Sequence, residues 1–565
     1  MGVKTDPATE ETRTGWRSLH CFVHWRPEHV DAFLTGTVAP LMDGLREAGH
    51  LRDWFFIRYS EGGPHLRIRA RDADTATVRK LREALVEAVR TSAYPLWSLP
   101  ESGAVRHEHG EVCELPYEPE TERYGGPEAL PVAEDVFCES SRIAIAVVAR
   151  TAGRAQRLVA AADLVLATAI ALDLDRLDTV RWLRRAAIAW RWHRDSTTLA
   201  PPMVQNAALS AATGQAAALV RRWDEIAASA GTGRRLRDRW AQQVRTARAR
   251  LEPDSRVSRE RWLQVWSSQL HMLLNRIGVL PDEERSLYWF IAASLLAPQG
   301  PTDFFADHTE AVDRRYLEAS NFARSRIEWQ QPRKAPRAAR TPYRLSARPP
   351  VALPSAPPIG GSLAEALTGR ASGRGDLGGS VNAADLAALL WSGYAGAAVP
   401  DSDGPPRRPY PSAGASYVTR LRLVVWSVDG LAPGQYEVDE TNRTLLPLGA
   451  APSPDEMVAA SMWFSMRGSA DAGYERIDVS TLPALLGLYV DLGTLRKTYG
   501  LRALRFGLLE AGHLAQNLAL CAAATDLALG MVGGFYDDVA HELLLLDGVD
   551  EVLAYLLPVG RRKTT

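Results

Sequence analysis

The sequence predicts a two-domain α+β protein, and three observations carry that prediction. A segment at 331–360 holds eight prolines between Pro332 and Pro358 and five arginines between Arg333 and Arg348. That composition excludes helix and interior strand and acts as an extended spacer. Before it, residues 15–330 open with a small α+β pattern and continue in helical period, rich in Ala, Leu, Arg and Trp. After it, residues 361–565 mix apolar helices with valine- and leucine-rich strands, as in a sheet flanked by helices.

In the first domain a strand is expected at Leu19–Val23 and a helix at His29–Ala48. Trp54–Tyr59 and His65–Arg71 form a hairpin around a five-residue loop containing Gly62, Gly63 and Pro64. A helix follows at Asp74–Ser92, and residues 139–330 are almost wholly helical. In the second domain Leu363–Thr368, Ala383–Tyr394 and Glu510–Thr525 read as helices. Arg420–Ser427, Leu527–Val532 and Val552–Val559 read as strands.

Bulk chemistry removes several function classes. The 565 residues are 46% hydrophobic and 24% charged, with net charge −1, so no global field favours nucleic acid or an anionic membrane. The apolar run Leu158–Leu172 is short and interrupted by Asp163, which fits a buried helix. Met1–Thr14 is polar and lacks the apolar stretch of a signal peptide. Cys21, Cys113, Cys138 and Cys521 are scattered, with no pair at metal-ligand spacing. The expectation is a cytoplasmic protein with reduced thiols, no metal, no direct nucleic-acid contact and no membrane association.

Four motifs mark the second domain. Arg408-Pro-Tyr-Pro-Ser412-Ala-Gly414 makes a turn that presents a hydroxyl and free N–H groups before a strand. Glu510, His513 and Asn517 put a polar stripe on an apolar helix, where buried polar groups need partners. Gly533 and Gly534 offer backbone for close approach of a ligand. Arg561, Arg562 and Lys563 close the chain with cations suited to a phosphate. Taken in order, Pro-Ser-x-Gly, Glu-x-Gly-His-x-x-Gln-Asn and Pro-Val-Gly-Arg resemble the nitroreductase-like flavoproteins, in particular the SagB-type azoline dehydrogenases. That resemblance implies FMN, held by Arg370, Ser372 and Arg374, with Arg561 helping at the phosphate. It further implies Ser412 and Gly414 at the cofactor across a homodimer boundary, Gln516 and Asn517 beside it, and Gly533 and Gly534 facing the flavin ring. The family's Lys-Tyr pair corresponds to Lys497-Thr-Tyr499, with the lysine displaced by one residue. Tyr499, assisted by Lys497, is the expected base for azoline oxidation.

The first domain carries its own oddity. Alternation puts His65, Arg67, Arg69 and Arg71 on one face of a strand, which suits either a solvated cationic face or a carboxylate site. Phe-Ile-Arg58-Tyr with Pro-His65-Leu-Arg67, Arg123-Tyr-Gly-Gly, and His271-Met-x-x-Asn-Arg276 together resemble the elimination domain of class I lantibiotic dehydratases. By that resemblance Arg58 and Arg123 bind glutamate carboxylate or enolate oxygens and His271 is the acid/base. His65, Arg67 and Arg276 then contact substrate. The combination resembles the bifunctional tailoring enzymes of lactazole-type thiopeptide pathways. It implies a leader-bearing precursor peptide, a separate glutamyl-tRNA-dependent glutamylation enzyme and an azoline-forming cyclodehydratase as partners. Three alternatives stay open: a [4+2] pyridine synthase or a peptide-docking module in the first domain, and a nicotinamide-using nitroreductase in the second.

Overall fold

A computed structural model describes residues 15–97, 107–192, 199–229, 235–251, 258–297, 303–322, 324, 333, 348–356, 358–375, 377–395, 407–466 and 476–562. Most of the 331–360 spacer lies outside these residues. The chain divides into two compact units, Met1–Ala187 with Ala208–Ala297, and Ile188–Ala207 with Pro298–Thr565. No helix among the described residues is long and apolar enough to cross a membrane.

The first unit is built on a four-stranded antiparallel sheet of β1 (Trp16–Phe22), β2 (Asp53–Tyr59), β3 (His65–Arg71) and β4 (Val112–Leu115), in the order β2-β3-β1-β4. The expected hairpin is present, with Tyr59 opposite His65 and Arg58 opposite Leu66. The expected helix at His29–Ala48 is helical from Pro27 to Glu47 with a π turn at Leu34–Val38. Pro40 lies two residues beyond it, and a wider turn accommodates its ring and missing N–H. Thr75–Thr91 is capped by the Asp74 side chain, which accepts from the Thr77 N–H at 2.7 Å. The other described residues of this unit are mainly helical, including Leu130–Arg150, Arg259–Arg276 and Pro281–Leu296.

β2 is an edge strand, and the end of Arg259–Arg276 covers it. The Asn275 amide bonds both the N–H and the carbonyl of Arg58, at 3.1 and 3.0 Å, and Arg276 Nε donates to the Phe56 carbonyl at 2.7 Å. These outward-facing groups of an edge strand otherwise invite pairing with another chain. The same bonds fix the helix on the sheet and so fix His271, one turn earlier.

The second unit centres on strand Ala484–Asp491, flanked antiparallel by Thr419–Val425 and Glu551–Arg562. Gly434–Asp439, Thr444–Gly449 and Val351–Ala352 extend the sheet on one side, and Ala528–Leu529 and Leu377–Gly378 pair with Glu551–Arg562 on the other. The expected strand at Leu527–Val532 is regular only at Ala528–Leu529, but its pairing with Glu551–Arg562 continues: the Gly530 N–H donates to the Pro558 carbonyl at 2.9 Å and Val532 bridges Leu556. The helix Ala503–Ala524 packs across the sheet with Leu363–Gly369 and Ala383–Gly393 against it. Leu386, Leu389, Leu514, Leu518 and Leu486 meet in that core.

Candidate active sites

In the first unit the cationic strand is not a bare solvated face. Arg67 lies over the Tyr59 ring at 3.5 Å, Arg69 over Tyr117 at 4.4 Å, and Arg71 over Trp16 at 5.6 Å. Each such stack contributes about 0.5–2 kcal/mol. Arg69 is buried, and that burial lowers its affinity for a proton. His65 is enclosed as well: its Nδ1 lies 2.8 Å from the Gly63 carbonyl and its Nε2 accepts from Arg67 Nε at 3.1 Å. Burial, first, holds it neutral, with its pKa down to about 4.

Arg123, from the turn Thr121–Tyr124, is held against the helix Arg259–Arg276 that carries His271. Arg123 Nε donates to Ser268 Oγ at 3.1 Å, three residues before His271 and on the same face. His271 Nδ1 stands 2.9 Å from Glu284 Oε2, and buried Glu284 also accepts from Tyr288 Oη at 2.8 Å. Arg123 is within electrostatic reach of the same carboxylate. Glu284 and Tyr288 were not foreseen, since nothing in an acidic helix start distinguishes one carboxylate from its neighbours.

Arg58 does not join this group. It pairs with Leu66 in the ladder, so its side chain leaves the face that carries Arg67 and Arg69. Its Nη2 is 2.6 Å from Asp31, which also holds Arg157 at 2.5 Å, and its Nε donates to the Arg276 carbonyl at 3.0 Å. The expected carboxylate ligand is thus engaged in an internal ion pair. Arg276 is likewise enclosed, bonded to Phe56 and to Ser140 Oγ at 3.0 Å, and burial brings its pKa down to about 10. It holds the sheet edge.

In the second unit two groups form. Ser372 bridges Leu529, and the Gly373 N–H donates to the Leu529 carbonyl at 2.8 Å, which lays Arg370-Ala-Ser372-Gly-Arg374 beside the Gly530–Gly534 segment. Trp463, unanticipated, stands between them: Arg374 lies 5.3 Å over its ring, and a side chain on Gly534 would meet its Nε1 at 2.9 Å. Ser372, Gly533 and Gly534 are exposed, and Arg370 is half-buried.

The second group surrounds the Pro-Ser-x-Gly turn. Ser412 Oγ donates to Glu510 at 2.5 Å and accepts from the Tyr417 N–H at 2.8 Å, while Glu510 also accepts from the Thr419 N–H at 2.9 Å. Gly414 has φ +56, and its Cα faces the Tyr499 hydroxyl so closely that no Cβ fits there. Arg408 braces the turn through Glu440 at 2.5 Å and Tyr410 Oη at 3.0 Å. Lys497 is exposed, and two residues apart on a helix it points away from Tyr499.

Three residues expected at the cofactor lie outside these two groups. Asn517 Nδ2 donates to the Gly393 carbonyl at 2.6 Å, closing the end of Ala383–Gly393. Gln516 is exposed one residue earlier. Arg561 donates to the Ser380 carbonyl at 3.0 Å and pairs with Asp385 at 2.8 Å and Asp526 at 2.9 Å, so its charge is already compensated.

Comparison with known proteins agrees with this division. The family described as lantibiotic biosynthesis dehydratase C-term matches residues 16–295, and the nitroreductase family matches residues 370–561. A nitroreductase-type protein of Methanocaldococcus jannaschii is 28% identical over 178 residues, 32% of this chain and 80% of its own. Among solved structures, a pyridine synthase from thiomuracin biosynthesis is 18% identical, covering 50% of this chain and 97% of its own, with TM-score 0.41. A tRNA-dependent lantibiotic dehydratase from Microbispora sp. 107891 is 22% identical over 52% of this chain and 28% of its own, with TM-score 0.33. The chain therefore joins a lantibiotic biosynthesis dehydratase C-terminal domain to a nitroreductase-family domain.

Proposed function

We propose that the protein tailors a ribosomal precursor peptide at two sites, eliminating glutamate from glutamylated Ser or Thr and oxidising azolines to azoles with FMN. The observation that carries the first activity is the pairing of His271 with buried Glu284, with Arg123 held by Ser268 on the same face of the helix. In elimination the His271 imidazole takes the Cα proton, the Cα–Cβ double bond forms, and the Cβ–O bond breaks with release of glutamate as a carboxylate. Buried Glu284 orients the ring and balances the charge it gains. Arg123, paired at 2.9 Å with the exposed Glu120, and the half-buried Arg67, 3.8 Å from the exposed Glu61, would exchange those surface carboxylates for the enolate and the departing glutamate.

For the second activity, nitroreductase-family membership supports a flavin. The residues fit one: Arg370, Ser372 and Arg374 lie beside exposed glycine backbone, and Trp463 packs against both Arg374 and Gly534. Bound FMN supplies an acceptor for the hydride leaving the azoline. Tyr499, held by Phe506 and seated against Gly414, is the acceptor we assign to the accompanying proton. A homodimer through this domain, the separate glutamylation enzyme and the cyclodehydratase complete the proposal.

The test is a glutamylated peptide incubated with wild type and with His271→Ala. Loss of glutamic acid, read by mass spectrometry, is expected with wild type and absent with the variant. A wild-type enzyme that leaves glutamate in place refutes the elimination assignment.

A further inference from the structure

Outside both sites, three unlike side chains converge at the edge of the first unit's sheet. The Glu108–Glu111 turn is closed by a bond from the Glu111 N–H to the Glu108 carbonyl at 3.2 Å, and Glu111 Oε2 accepts from the Glu108 N–H at 3.1 Å. The other oxygen, Oε1, is left to two neighbours: His107 Nδ1 at 2.9 Å and Cys113 Sγ at 3.0 Å. Sγ and Nδ1 are themselves 3.9 Å apart. Cys113 is two residues beyond Glu111 on β4, so strand alternation turns both to the same side. His107 is fixed from behind, its ring stacked on Phe22 at 4.2 Å and its N–H bonded to the Gly62 carbonyl at 3.3 Å.

We propose that His107, Glu111 and Cys113 bind one zinc-class divalent cation. Nitrogen, oxygen and sulfur ligands at zinc bond lengths in a tetrahedron stand about 3.3–3.6 Å apart. The three separations here bracket that range, so movements of about 0.6 Å or less bring them onto a single ion. A thiolate and an imidazole select zinc over magnesium or calcium. One carboxylate and one thiolate balance the charge of the ion, and the Cys113 thiol proton passes to solvent on binding. The ligands are half-exposed, which leaves a path for entry. The fourth position is open to water or to His20, the ladder partner of Cys113 on β1. The ion would clip the 107–111 turn to the sheet. The mixture of ligand types hid the site in sequence, where paired cysteines are the usual signal.

The experiment titrates Co²⁺ into chelator-treated full-length protein and follows absorbance. One Co²⁺ per chain is expected, with a thiolate charge-transfer band in the near ultraviolet and tetrahedral bands in the visible, all displaced by Zn²⁺. Cys113→Ser loses the charge-transfer band, Glu111→Gln and His107→Ala weaken binding at least about tenfold, and Cys521→Ser binds as wild type. Melting curves without metal establish that each variant is folded. Absence of a thiolate band in the wild type, or its survival in folded Cys113→Ser, overturns the proposal.

Discussion

Gly414→Ala isolates the contact that seats Tyr499. Gly414 sits at φ +56, where an L-residue pays about 1–2 kcal/mol. An added Cβ lands about 1 Å inside ordinary contact with the Tyr499 hydroxyl, yet stays 3.7 Å from the ring carbon that bears it. The steric conflict therefore belongs to the hydroxyl. The ring has little room to retreat, since it packs edge-on against Phe506 at 5.1 Å. In the native background the substitution is expected to cost about 2–4 kcal/mol, strain plus overpacking. In a Tyr499→Phe background the strain alone remains, about 1–2 kcal/mol. Thermal melts of wild type, both single variants and the double variant give the coupling directly, expected at about 1–2 kcal/mol. Each kcal/mol moves the melting temperature by about 2–4 °C in a domain of this size. Azoline oxidation in Gly414→Ala is expected to fall about 100-fold, because the hydroxyl is displaced by about 1 Å. An equal stability cost in both backgrounds refutes the contact.

Three further outcomes follow from the described geometry. His65 is neutral when folded and protonates at about 4, against 6.5 for a free imidazole, so below pH 6.5 the unfolded chain binds the extra proton. Its contribution to stability is complete above pH 6.5 and lost as pH falls toward 4; His65→Phe is expected to flatten the denaturation midpoint across that window, and an unchanged slope counts against it. Arg561→Ala is expected to lower the melting temperature while changing FMN affinity less than about threefold, whereas Arg370→Ala weakens FMN about tenfold or more by flavin-fluorescence titration. Reversed effects return the phosphate to Arg561. Glu284→Gln keeps the size of the residue and removes its charge; elimination is expected to slow about 100-fold with azoline oxidation intact, measured on the same peptide.

The elements that sequence revealed are those whose signal is local. The 54–71 hairpin shows in alternation around a glycine-rich loop, and the helix expected at 510–525 shows in its apolar period, although it begins seven residues earlier, at Ala503. What it hid depends on distant pairing. A five-residue loop does not announce which face of β2 meets the arginines of β3, and the register that pairs Arg58 with Leu66 turns Arg58 to the other side. Arg561 reads as a basic tail because Asp385 is 176 residues away. The rings over Arg69 and Arg71 come from Tyr117 and Trp16, at opposite ends of the sheet sequence. Strands Gly434–Asp439 and Ala484–Asp491 went unread because both faces are buried, which erases alternation.

The central claim is two independent chemistries on one chain, and a peptide bearing both a thiazoline and a glutamylated serine tests it. Mass spectrometry after reaction with wild type, His271→Ala and Tyr499→Phe separates the losses. The account predicts that wild type removes both glutamic acid and two hydrogens from the ring, that His271→Ala removes only the hydrogens, and that Tyr499→Phe removes only glutamic acid. A wild-type enzyme that performs neither change, or single variants that abolish both together, contradicts it.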